Sequence, residues 1–135
     1  MNNNRFNVRL SWSFYDWANS AWSAIIITFI FARYFVDVLA PNQDIGTLYW
    51  TWTIGISSLV AALLSPILGS ISDKSQRSKL WLIFTTLIYS VIAFSFWFAE
   101  PNVINFGLII ILIFIGNVSY EISQVFYNGQ LKLIT

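Results

Sequence analysis

Two carboxylates lie inside or beside long apolar stretches of the sequence, where an ionised side chain is costly. Asp16 stands at the start of the first stretch together with Asn19, and Glu121 lies in the last. Polar residues recur around Glu121 at steps of four, three and four, and so share one helical face: Asn117, Glu121, Gln124 and Asn128. An acidic residue costs about 2.5 to 3.5 kcal/mol at the middle of a membrane span. Because polar groups in a span usually face a bundle interior or an aqueous cavity, the pattern predicts a polar site between helices.

Several other kinds of chemistry are excluded by composition. The 135 residues include no cysteine and no histidine, so the chain cannot build a disulfide, a thiol nucleophile or an imidazole base. No nucleophile–base pair and no set of metal ligands can be recognised, and we therefore expect no enzyme activity, no metal and no cofactor. The formal net charge of +1 gives no reason to expect a nucleic-acid partner.

The elements that must position these polar residues are membrane helices. Hydrophobic residues make up 57% of the chain and charged residues only 10%, with a mean hydropathy of +0.67. A helix needs about 20 apolar residues to cross the hydrocarbon core. Four stretches meet this length or approach it, which predicts an all-α membrane protein with helices at about 17–39, 45–72, 80–99 and 103–127. Burial of these helices in a soluble core is the alternative, and four in succession argue against it.

The distribution of Lys and Arg predicts the orientation. If the N-terminus is cytoplasmic, Arg33 alone lies outside, and the basic residues inside are Arg5, Arg9, Lys74, Arg77, Lys79 and Lys132. Cytoplasmic segments carry the excess of basic residues in membrane proteins. We therefore expect a multi-pass protein of the cell or inner membrane, with the lipid bilayer as its surroundings. Asp37 lies one turn after Arg33 and is expected to pair with it.

The second predicted helix carries a stripe of small residues at steps of three and four: Thr51, Gly55, Ser58, Ala62, Ser65 and Gly69. Small residues let helix backbones approach closely, so the stripe predicts a helix-packing face. The alternative is chance, since small residues are common in membrane helices. Pro66 lies beside the stripe and is expected to kink the helix.

A motif follows that stripe, in the segment from Gly69 to Lys79. It resembles the signature of the major facilitator superfamily, G-x-x-x-D-[RK]-x-G-R-[RK], which lies between the second and third helices of that fold. Four positions match, at Gly69, Asp73, Lys74 and Arg77. Gln76 replaces the glycine and Ser78 a basic residue, with Lys79 one position later. The resemblance implies a cytoplasmic loop that latches the two halves of a transporter, whereas the alternative is an ordinary basic loop.

Two further segments resemble one branch of that superfamily, the vacuolar amino-acid effluxer-like (autophagy-related) transporters. The first is Y-D-W-A-N-S-A-W at 15–22, which is similar to the Y-D-[FW]-A-N-S-A opening of the branch. The second is V-F-Y-N-G-Q-L at 125–131, which is similar to V-F-Y-N-x-x-L-P, although Lys132 stands where the proline is expected. The resemblance implies a fold like the first four helices of a major facilitator transporter.

The resemblance also implies a function for the polar residues, because the first and fourth helices line the cavity of that fold. Our hypothesis is that a shared site of Asp16 and Glu121, with Asn19, Asn117 and Asn128, serves proton coupling or binds a zwitterionic solute. The resemblance implies amino-acid efflux as one such activity. The alternative is that both carboxylates lie at the interface and mark helix ends.

Four helices are one three-helix repeat of this fold plus one helix of the next. We therefore expect a truncated or split reading frame, a non-autonomous part of a secondary transporter whose remaining helices are encoded separately. Two alternatives are a small four-helix exporter that works as an oligomer and a membrane protein that binds or scaffolds a partner.

Overall fold

Four long helices form the structure in residues 3–101 and 105–134, the backbone that the computed structural model describes; side chains are described for 5–101 and 105–131. The first helix combines four consecutive segments: Asn3–Ala21, Trp22–Phe29, Phe31–Tyr34 and Phe35–Leu39. The second helix is Gln43–Ser75, the third is Ser78–Ser95 with a 3₁₀ turn at Phe96–Phe98, and the fourth is Phe106–Ile134. The predicted bounds of the second and third helices differ from these by a few residues. The fourth helix ends seven residues after its predicted end at 127, and positions 103–104 of its predicted start lie outside the described part.

The first helix begins well before the predicted start at Trp17. Its early turns are polar, but the hydroxyls there bond to backbone carbonyls of the same helix: Ser11 to Asn7 at 2.9 Å and Ser13 to Arg9 at 3.1 Å. Such internal bonds leave no hydroxyl donor without a partner. The segments Trp22–Phe29 and Phe35–Leu39 are π-helical, with one more residue per hydrogen-bonded turn than an α-helix.

A tight connection joins the first and second helices. Asn42 caps the second helix, because its side-chain oxygen accepts from the backbone N–H of Ile45 at 2.8 Å. Gly46 sits so close to the preceding turn that an added Cβ would lie 2.7 Å from that of Ala40. The predicted pair of Arg33 and Asp37 is confirmed, with 2.6 Å between Nε and Oδ2.

The helices run alternately up and down, and the fourth lies against both the second and the third. The first helix packs by its aromatic side chains. At one end, Tyr15 stacks on Tyr127 of the fourth helix with ring centroids 5.3 Å apart. At the other end, Phe35 stacks on Phe106 at 5.1 Å and Phe31 on Phe96 at 4.2 Å. The N-terminus of the first helix therefore shares an end of the bundle with the turn between the second and third helices.

Trp22 fills the middle of the bundle. Its ring lies edge-on to Tyr89 and stacked over Tyr120, with centroids 5.5 and 6.2 Å away. Only 3% of Trp22 is exposed. Gly116 makes this possible, because a Cβ there would lie 2.5 Å from the Trp22 ring.

The outer surface of the bundle is apolar on every helix. Large exposed side chains include Phe29, Leu63, Val91 and Trp97. All four helices are long and apolar enough to cross a membrane, over Arg5–Leu39, Gln43–Ser75, Ser78–Phe98 and Phe106–Leu131. An apolar exterior of this extent suits lipid and not water, so the predicted all-α membrane class is confirmed. The cytoplasmic position of the N-terminus stays a prediction.

The small-residue stripe of the second helix does not coincide with the face that packs inside this bundle. The buried residues there are Thr53, Ser57 and Ala61. Of the stripe, Ser58 and Ser65 are half-buried, as is Gly69, whereas Thr51, Gly55 and Ala62 are exposed. A Cβ on Gly55 or Gly69 would meet nothing within 4 Å. Ser58 nevertheless contacts Glu121 of the fourth helix, so the packing role of the stripe as a whole stays a prediction. The second helix continues through Pro66.

Candidate functional site

Glu121 is the centre of a hydrogen-bonded cluster between the second and fourth helices. Its Oε1 accepts a short bond from the Ser58 hydroxyl and a 3.3 Å bond from the Asn117 side-chain amide. The same amide donates to the Ser57 hydroxyl at 2.8 Å. The cluster thus links a carboxylate, an amide and two hydroxyls.

The helices explain why these four residues meet. Asn117 and Glu121 are one turn apart on the fourth helix, so their side chains lie on the same face. Ser57 and Ser58 lie near the middle of Gln43–Ser75, where the two helices are in contact. Ser57 is fully buried and Asn117 is 3% exposed, while Glu121 and Ser58 are half-buried. The carboxylate is therefore reachable from one side and held by donors on the other.

Asn19 is brought into a different contact. It is 4% exposed, and its side-chain oxygen accepts from the Tyr89 hydroxyl at 2.6 Å. This bond ties the first helix to the third at the level of Trp22, one turn further along. The Nε1 of Trp22 is buried and has no hydrogen-bond partner in the described part of the chain.

Asp16 lies apart from Glu121, in an open groove between the first and fourth helices. The groove has a volume of about 540 Å³, and its lining includes Arg9, Asp16, Ser20 and Tyr127. Asp16 is exposed, and so is Asn128 on the fourth helix. Among the described residues no hydrogen bond joins Asp16 to Glu121, and the lining of this groove does not include Glu121. The role predicted for each of the five polar residues stays a prediction.

The turn between the second and third helices has a strained position at Gln76. Its φ of 53° and ψ of 27° are left-handed, a conformation that favours glycine. This is the place where the resembled signature has glycine. Across the turn, the hydroxyls of Ser72 and Ser78 lie 2.6 Å apart.

The charged residues of this turn are all exposed: Asp73, Lys74, Arg77 and Lys79. None of them forms an ion pair with another described residue; the ion pair among the described residues is Arg33–Asp37, in the first helix. Their predicted role as a latch therefore has no partner among the described residues and stays a prediction.

Two kinds of residue at these sites were not predicted. Ser57 was omitted from the small-residue stripe although it is the buried neighbour of Asn117, and its position four residues before Ala61 was the available signal. Tyr89 gave no signal, because a tyrosine in an apolar helix is usually an interface or core residue. No three side chains of His, Cys, Asp or Glu come together as a metal site in the described residues.

Comparison with known proteins places these features in a family. Residues 35–134 match the family model described as "Vacuole effluxer Atg22 like". An uncharacterized MFS-type transporter, YxiO of Bacillus subtilis (strain 168), is 29% identical over 128 residues, which cover 93% of this chain. The chain spans 29% of the length of that relative. No solved structure matches the chain.

Proposed function

We propose that this chain, which belongs to the Atg22-like vacuole effluxer family, carries the proton- and solute-binding site of a secondary transporter for a small solute. The similarity to an MFS-type transporter supports the same class of function. The observation that carries the proposal is the Glu121 cluster, in which a carboxylate deep in a span is bonded from two helices. Ionisable groups at such depth mark ion or solute pathways.

Protonation of Glu121 would change the bonds between the second and fourth helices. An ionised carboxylate only accepts hydrogen bonds, whereas a protonated one also donates. The Ser58 hydroxyl can serve as donor or acceptor, so it can follow that change by rotating. Proton binding at Glu121 would thereby alter the contact between two helices, which is the link that coupled transport requires.

The same cluster suits a zwitterionic solute such as an amino acid. The half-buried Glu121 carboxylate offers a counter-ion for the ammonium group, and the buried Asn117 amide, which bonds to Ser57 and Glu121, holds that carboxylate in place. Asp16 and Asn128 are not part of this arrangement, since both lie exposed elsewhere. We propose amino-acid efflux as the activity, with the N-terminus in the cytoplasm.

The test is proton flux in proteoliposomes that contain the full product of the gene, with a pH-sensitive dye inside. Addition of an amino acid to the wild type should move protons, and Glu121→Gln should abolish that movement. Glu100→Gln is the matched control, because Glu100 is exposed in the turn after the third helix. Undiminished proton flux in Glu121→Gln would refute the coupling role, and an inert response to all amino acids would refute the substrate class.

A partner-binding function is the second candidate, and the open face of the second helix favours it. Gly55 and Gly69 have room for a neighbour on that face. Sizing of the purified protein in detergent discriminates between the possibilities. A persistent monomer would argue against the oligomeric exporter, and a stoichiometric second protein would favour the partner-binding function.

A further inference from the structure

A second groove lies at the end of the bundle that holds the N-terminus, separate from the Glu121 cluster. It runs between the first and third helices and reaches the fourth, with a volume of about 530 Å³. This volume falls within the range of about 300 to 1,000 Å³ that is usual for small-molecule sites. Its inner end is closed by a 2.8 Å hydrogen bond between the hydroxyls of Tyr15 and Thr86.

The lining of this groove changes from polar to apolar along the helices. Asn7 and Ser11 of the first helix and Lys79 of the third form its outer part. The third helix then contributes Leu82, Ile83 and Leu87, one and two turns deeper. Ile83 and Leu87 are 47% and 58% exposed, so the apolar part of the groove continues onto the lipid-facing surface. A phospholipid has the same order of parts, with a polar headgroup above an acyl chain.

The position of Lys79 along the third span agrees with a headgroup at the outer end of the groove and an acyl chain deeper in it. The third span has 21 residues, which at 1.5 Å per residue is about 31 Å, the thickness of the hydrocarbon core. Lys79 is its second residue, so its ammonium lies at the level of lipid headgroups. Long basic side chains at helix ends place their charge at this level.

The charge and hydrogen-bond donors of the groove favour an anion. Lys79 forms no ion pair with a described carboxylate, and the described lining of the groove includes no acidic residue. Gln130 also lines it, and its side-chain Nε2 is buried without a hydrogen-bond partner in the described residues. A buried donor without a partner costs free energy that a bound acceptor restores. The neighbouring groove differs, because Arg9 and Asp16 there balance each other in charge.

We infer that this groove binds one anionic glycerophospholipid of the surrounding leaflet. Lys79 contacts the phosphate, and rotation of the half-buried Gln130 side chain brings its amide to the same group. Asn7 and Ser11 bond to the rest of the headgroup, and an acyl chain lies along Leu82, Ile83 and Leu87. Basic pockets between membrane helices bind anionic headgroups in this way. The inference is independent of the solute and of the role of Glu121.

The test counts lipids bound to the purified protein by native mass spectrometry. The protein in neutral detergent is titrated with dioleoylphosphatidylglycerol and, separately, with dioleoylphosphatidylcholine. We expect one phosphatidylglycerol per chain and clearly weaker binding of phosphatidylcholine. Lys79→Gln should weaken phosphatidylglycerol binding about fivefold, the contribution of one basic side chain near an anionic surface. Lys74→Gln, which alters a lysine outside the groove, should stay within about twofold of wild type on the same scale.

Further variants and a free anion complete the experiment. Lys79→Arg keeps the charge and should retain binding, while Gln130→Glu adds a negative charge and should lower it. Circular dichroism checks that each variant keeps its helix content. Equal binding of the two lipids, or wild-type affinity in Lys79→Gln, would overturn the inference. Displacement of the lipid by millimolar inorganic phosphate would also overturn it, because the site would then recognise a phosphate without its acyl chain.

Discussion

Replacement of Gly116 with alanine would test how tightly the first helix packs against the fourth. An added Cβ would lie 2.5 Å from Cη2 and 2.9 Å from Cζ2 of Trp22, and 3.2 Å from Cγ2 of Ile92. Carbon atoms in good contact are about 3.5 to 4.0 Å apart. The new methyl group therefore overlaps the indole by about 1 Å on that scale. Trp22 cannot move aside easily, because Tyr89 and Tyr120 enclose its ring.

The size of the effect follows from two opposing contributions. Extra volume in a packed core costs about 1 to 3 kcal/mol. Alanine is about 0.5 to 1 kcal/mol better than glycine inside a helix. Gly129→Ala in the same helix isolates the second contribution, since its Cβ would meet nothing within 4 Å. The free energy of unfolding should thus differ between the two variants by about 1 to 3 kcal/mol, with Gly116→Ala the less stable.

The assay is unfolding in mixed micelles, followed by circular dichroism as the fraction of denaturing detergent rises. A double-mutant cycle with Trp22→Phe assigns the cause, because phenylalanine lacks the two ring atoms that clash. The penalty of Gly116→Ala should shrink by about 0.5 to 3 kcal/mol in the Trp22→Phe background, the usual coupling between residues in contact. Equal stability of Gly116→Ala and Gly129→Ala, or an unchanged penalty in the double mutant, would refute the packing argument.

Three other substitutions test local features of the fold by the same unfolding assay. Gln76→Gly should stabilise the protein by about 1 kcal/mol, because the left-handed conformation strains a residue with a side chain; no gain would contradict the strain at this turn. Tyr89→Phe should destabilise it by about 1 to 3 kcal/mol, since the buried oxygen of Asn19 loses its donor; wild-type stability would show that this bond is dispensable. Gly46→Ala should cost about 1 to 3 kcal/mol through its clash with Ala40, and a neutral result would indicate that the connection can relax.

The sequence predicted helix bounds well where hydropathy alone determines them, and poorly where contacts between helices determine them. The second and third helices follow long apolar stretches, so their predicted bounds are close to the observed ones, whereas the fourth continues seven residues past its predicted end at 127. The start of the first helix was missed because Asn7, Ser11 and Ser13 lower its hydropathy. Their neighbours Trp12 and Tyr15 nevertheless pack against Tyr127, which keeps the helix regular there.

The π-helical turns of the first helix had no signal in the sequence. The buried residues in its middle are Trp22, Ile26, Phe31 and Phe35, at steps of four, five and four. The step of five, from Ile26 to Phe31, breaks the α-helical period. It keeps the buried side chains facing the neighbouring helices, whose positions the sequence does not give. Periodicity therefore predicts the class of element but not such a change of register.

The candidate site was predicted only in part, because spacing along one helix shows which residues share a face but not which residues of other helices they meet. Asn117 and Glu121 share a helical face, which their spacing predicts. Ser58 was predicted only as a small packing residue, and its hydroxyl donates to the carboxylate in addition. The partner of Asn19 depends on how the first and third helices dock, and no local rule identifies Tyr89.

The length of the third helix has a consequence for the membrane around the protein. Its 21 residues, with Lys79 near one end and the exposed Trp97 near the other, fit a bilayer whose hydrocarbon core is about 30 Å thick. The 33-residue second helix can match a thicker bilayer by tilting less, but the third has no spare residues, so thick lipid must compress around it. Acyl-chain length is therefore the first variable to set when the protein is reconstituted.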